Sequence, residues 1–138
     1  MPSHPTITAI LLRAFLFGAS SSVLASTDCT RPDLDQSTQV QCIAMRIKAL
    51  DAELNRTYHA ALSSMPEKSP QDHRKEREQL RKSQRAWLKY KDENCTLVGA
   101  IEGESNLSVT HHAGLCEEKA LRERIAFLKG IADASSRL

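Results

Sequence analysis

The stretch CIAMRIKALDAELNRTYHAALSSMP, Cys42 to Pro66, decides the fold class. Ile43, Ile47, Leu50, Leu54, Tyr58, Ala61 and Met65 recur in it at spacings of three and four. That period lays one apolar stripe along a long helix, with Arg46, Lys48, Glu53 and Arg56 mostly elsewhere on its surface. A Thr38-x-x-Gln41 capping box stands just upstream as a candidate start. Pro66 stops the helix, because proline carries no amide hydrogen to continue the ladder. The segment PEKS then reads as a turn.

Beyond the turn, Ser69-Pro70-Gln71-Asp72 has the order of a second helix start, with serine as cap, proline first and an acid in the first turn. This helix is expected to run to about Val98, although it is poor in apolar side chains. Leu80, Trp87 and Cys95 fall near one stripe, with Gln84 and Lys91 between them. The stretch GAIEGESNLSVTHHAG, rich in glycine, serine and asparagine, reads as a loop. A third helix is expected from somewhere in 110–115 to about Ala132, turning Leu121, Ile125, Leu128 and Ala132 inward. No strand pattern and no internal repeat appears. The expectation is an all-α protein, an antiparallel three-helix bundle. Aromatics are only 4% of the chain, so the single tryptophan, Trp87, is read as a core plug beside Leu54, Tyr58, Leu80, Ile125 and Leu128.

The first 25 residues read as a leader rather than as part of the fold. AFLFGASSSVLA is a short apolar run behind Arg13, and Val23 and Ala25 are small residues placed for cleavage after Ala25. Arg13 divides the apolar stretch too finely for a membrane span, so no stable membrane insertion is expected after cleavage. This leaves one domain, residues 26–138, in the periplasm or secreted. An even set of cysteines in an exported chain reads as disulfides, and Cys29, Cys42, Cys95 and Cys116 include no close pair suited to zinc. In an antiparallel bundle all four gather at one pole. Pairing Cys29 with Cys42 and Cys95 with Cys116 closes two short loops; Cys42–Cys95 with Cys29–Cys116 is the rival.

Several segments together carry a resemblance. DCTRPDLDQSTQVQCIAMRIKALDAELNRTY, LRKSQRAWLKYKDENC and CEEKALRERIAFL resemble the LprI-type lysozyme-inhibitor family of small exported bacterial proteins. The matching pieces are Asp28-Cys29, Cys42, Asp51-x-x-Leu54-Asn55-x-x-Tyr58, Gln84-Arg85-x-Trp87, Asp92-x-x-Cys95, and Cys116 followed by Arg124 and Leu128. The chain departs from the family at Lys91, where arginine is usual, and at Gly103-Glu104-Ser105, where many members carry Gly-Gly-Ser. The resemblance implies an envelope protein and, for the family's namesake, inhibition of lysozyme.

The chemistry the residues offer is that of a binding protein rather than an enzyme. No serine or cysteine stands in a motif with a base, His111-His112 lacks a third ligand, and no cofactor is expected. A formal net charge of +2 is too small for nucleic acid. The acidic residues Asp92, Glu93, Glu102, Glu104, Glu117 and Glu118 gather towards the cysteine pole, the right sign for a basic lysozyme. Read blandly, they cap a helix and meet solvent. Arg77, Arg81, Arg85 and Lys89 recur every four residues as a basic ridge suited to an anionic envelope polymer or an acidic partner; read blandly, it is a solvated face in which Glu78 pairs with Lys82. The candidate partner-binding residues are Glu102, Glu104, His111 and His112, on the stretch read as a loop. The partner is expected to be a protein, a lysozyme or another wall hydrolase, with an immunity or stress-response role in the envelope as the alternative.

Overall fold

The computed structural model describes residues 29–65 and 73–135. Three helices account for almost all of them: α1 (Gln36–Ser63), α2 (Arg74–Glu102) and α3 (Asn106–Ser135). Among the described residues there is no strand, and no helix is long and apolar enough to cross a membrane. The expected leader and the Ser69-Pro70 start lie outside the described residues.

Cross-helix partners fix the directions. Arg46 pairs with Glu118 and Glu53 with Lys129, so α1 and α3 run the same way. Cys95 bonds to Cys116 and Gln84 meets Arg124, so α2 runs against α3. α3 packs on both other helices and is the spine of the bundle. The core lies along it: Leu121 and Leu128 are fully buried among Leu50, Leu54, Ala61, Leu80 and Ile125. Tyr58 and Trp87 pack against the edge of this cluster and are half-buried. Gln84 and Lys91, which share the stripe of Leu80 and Cys95, are buried with it.

The helix ends depart from the expected caps. Asp35, not Thr38, caps α1: its carboxylate accepts from the Thr38 amide at 3.0 Å and from the Thr38 hydroxyl at 2.6 Å. A charged acceptor at the positive end of the helix dipole is the stronger cap, and Thr38 becomes its donor. At the other end, the Arg77 guanidinium donates to the Leu62 carbonyl and, at 2.9 Å, to that of Met65. The first member of the basic ridge is therefore tied to the negative end of α1. Glu78 lies 3.8 Å from both Arg81 and Arg85 rather than pairing with Lys82.

The stretch read as a loop is mostly helix. α2 continues through Glu102 and α3 begins at Asn106, leaving residues 103–105 as the connection. The glycines serve close approach instead of a turn. A Cβ on Gly99 would stand 2.8 Å from the Val109 carbonyl oxygen, and one on Gly103 only 2.5 Å from the Val109 Cα. The serine supplies a cap: the Ser105 hydroxyl accepts from the Ser108 amide at 3.2 Å. Cys29–Cys42 and Cys95–Cys116 staple this pole, with Cα separations of 5.7 and 5.4 Å.

Candidate functional site

Two surfaces present apolar or polar groups that the fold leaves unused. The first is the α2–α3 end. Its short connection, its disulfide and its two glycine contacts hold the two helices together up to their tips. Leu97 and Ile101 stand one turn apart on α2 and are 57% and 73% exposed, with Leu107 partly exposed on the first turn of α3. Glu104 lies exposed in the connection itself.

The sequence-predicted binding residues lie here, but only Glu104 is on the connection; Glu102, His111 and His112 are helical. Glu102 is the last residue of α2, and its carboxylate is 3.1 Å from Nδ1 of His112 on α3. His111 meets His112 edge to face, ring centroids 5.3 Å apart. Among the described residues no group of three histidine, cysteine or acidic side chains gathers for a metal.

Most of the acidic cluster is engaged in ion pairs within the molecule. Glu117 pairs with Lys91, and Asp92 lies 3.2 Å from the same ammonium. Burial pushes the Lys91 pKa down, but the hydrogen bonds and charges of Glu117 and Asp92 outweigh it and leave it above the ordinary lysine value. Glu118 accepts from Arg46 at 3.0 Å and Arg122 at 2.8 Å. Burial raises its pKa, and the two guanidiniums overcome that and hold it below the usual carboxylate range. Glu93 and Glu104 are left with no ion pair or hydrogen bond among the described residues.

The second surface is a cleft of about 450 Å³ between α1 and α2. α1 supplies Asp51, Asn55 and Tyr58; α2 supplies Arg81, Gln84, Arg85 and Leu88. Arg81 and Arg85 belong to the basic ridge of the sequence, whereas Asp51, Asn55, Tyr58, Gln84 and Leu88 carry no binding expectation from the sequence. A signal was present: the same spacings of three and four that mark the apolar stripe also set polar side chains along one flank of each helix. Behind the cleft, the buried Arg124 donates from Nε to the Gln84 side-chain oxygen at 2.9 Å and from Nη2 to the Ser83 hydroxyl at 3.0 Å. No carboxylate among the described residues pairs with it, and burial lowers its pKa. Its charge rests instead against the rings of Trp87 and Phe127, at 5.6 and 4.7 Å.

The model of the family described as "Lysozyme inhibitor LprI" matches residues 29–128, a span that includes both surfaces. The chain belongs to the LprI family. Among its relatives, the uncharacterised protein YecT of Escherichia coli is 32% identical over 96 residues, 62% of this chain and 58% of YecT. The chain thus spans less than two thirds of that relative's length. An uncharacterised protein of Rhizobium meliloti is 31% identical over 114 residues, 78% of this chain and 81% of its own length. No solved structure matches the chain significantly. The motif pieces of this LprI protein divide between fold and surface. Cys29, Cys42, Cys95, Cys116, Leu54 and Leu128 staple or fill the bundle, whereas Asp51, Asn55, Tyr58, Gln84 and Arg85 line the cleft.

Proposed function

We propose that this LprI protein is exported and inhibits a lysozyme of the cell's surroundings by docking its α2–α3 end. Family membership supports the class of target, and the exposed apolar tip is the observation that carries the choice of surface. A glycosidase cleft with its two carboxyl groups is blocked by an element that enters it already ordered. The expected loop would have lost conformational freedom on entry; a helical hairpin held by a disulfide and by glycine contacts loses little. Leu97 and Ile101 supply apolar area for the centre of such a contact, and Glu93 and Glu104 supply a charge rim of the right sign. Glu102, His111 and His112 border the same tip. The chain without its expected leader carries about +1, so attraction to a basic enzyme rests on this local charge and not on the whole molecule.

The test is inhibition of wall lysis by a basic lysozyme, at low and moderate salt, using the wild type, Leu97→Ser/Ile101→Ser and Glu93→Gln/Glu104→Gln. Inhibition abolished by the apolar pair and made less salt-sensitive by the acidic pair supports this surface. Inhibition indifferent to both pairs moves the contact elsewhere on the bundle. No inhibition of any lysozyme favours a different envelope partner.

A further inference from the structure

We propose that the cleft between α1 and α2 is a separate ligand site for a short saccharide carrying a carboxylate. Four polar groups on its walls remain without use in the fold. Asp51 and Asn55 make no side-chain hydrogen bond or ion pair with any described residue, and the Tyr58 hydroxyl has no partner there either. The fourth is the amide nitrogen of Gln84. Arg124 can only donate, so the Gln84 atom that faces it must be the oxygen. The carboxamide is thereby fixed with its NH2 unpartnered and open to the cleft, although Gln84 as a whole is buried. Arg124 is a positioning residue for that donor.

The mixture of groups selects the ligand. A phosphate brings acceptors alone, which would leave Asp51 and the carbonyl oxygen of Asn55 without donors. A purely apolar molecule would strand Asp51, Asn55 and Gln84 without partners. Sugar hydroxyls both donate and accept, which suits a wall that alternates a carboxylate, two carboxamides and a phenol. Tyr58 and Leu88 offer apolar surface for the face of a sugar ring. Arg85, held only loosely by Glu78 at 3.8 Å, is placed to take a carboxylate in a forked pair. A volume of about 450 Å³ is within the range of small-molecule sites. Gln84 lies 19 residues before Gly103 along α2, about 28 Å from the tip at 1.5 Å per residue, so the two sites are independent.

The test is an NMR titration of the isotope-labelled protein with N-acetylmuramic acid, N-acetylglucosamine and lactate. The first two differ by the lactyl ether that carries the carboxylate. N-acetylmuramic acid is expected to move the Gln84 side-chain amide signals and the backbone signals of 51–58 and 81–88. N-acetylglucosamine should bind about tenfold more weakly, and Arg85→Gln should bring the acidic sugar down to the same affinity. Asn55→Ala, on the exposed wall, should weaken both sugars, and Arg124→Met should do so through loss of the Gln84 signal shift. The proposal is overturned by silence of the cleft signals with both sugars. It is equally overturned if lactate alone matches the acidic sugar, if Arg85→Gln changes nothing, or if the shifts fall at 97–112. Lysozyme inhibition is read separately, so its loss or survival leaves this result intact.

Discussion

Arg124 and Trp87 illustrate what single residues contribute here. Burying a guanidinium is costly, and the cost is offset by two hydrogen bonds and two aromatic faces instead of a carboxylate. Trp87 is therefore both an edge plug and a platform for the Arg124 charge. Trp87→Ala should destabilise by less than the roughly 3–5 kcal/mol typical of a large buried aromatic, since the residue is only partly buried, and urea unfolding would measure it. Leu121→Ala, at a site with no exposure, should cost about 2–5 kcal/mol and exceed it. The carboxylate of Glu118 has a folded-state pKa below its unfolded one. Its stabilisation is thus present above the ordinary glutamate value, roughly 4.3, and is lost as pH falls through the depressed value. Melting temperature against pH should show a shallower acid limb for Glu118→Gln. At this scale the sequence was least legible. Gln84 and Lys91 were visible on the buried stripe, but their partners Arg124 and Glu117 lie a helix away, and spacing alone cannot pair them.

Among the elements, α1 was legible because its apolar period is uninterrupted, while its cap was misplaced by one turn. Asp35→Ala should cost about 0.5–2 kcal/mol by thermal or chemical unfolding, with Thr38→Ala costing less, because Thr38 is the donor in that pair. The end of α2 and the start of α3 were misread, and the reason is physical. Glycine, serine and asparagine are loop formers by propensity, but Gly99 and Gly103 are needed where Val109 crosses, and Ser105 is needed as a cap. Gly103→Ala should force the helices apart at a cost of about 1–3 kcal/mol. A variant that keeps its melting temperature would show that the crossing is looser than described. The candidate residues Glu102, His111 and His112 lie on the facing ends of two helices, with Glu104 on the three-residue connection between them, and not on a long excursion.

For the molecule as a whole, helix number, core stripe and disulfide pairing were legible, because each follows from period or from loop length. The α1–α2 cleft was not, since it exists only once α3 has brought both flanks into register. Each disulfide is worth about 3 kcal/mol in the chain-entropy picture, so reduction should lower the melting temperature sharply. Lysozyme contact is proposed at one end and saccharide binding in the cleft, two surfaces that one measurement can tell apart. Hydrogen exchange of the protein with and without a basic lysozyme reads protection along every helix at once. Slowed exchange confined to residues 93–112, with 51–58 and 81–88 unchanged, is the predicted result. Protection centred on the cleft, or none anywhere at saturating enzyme, would contradict it.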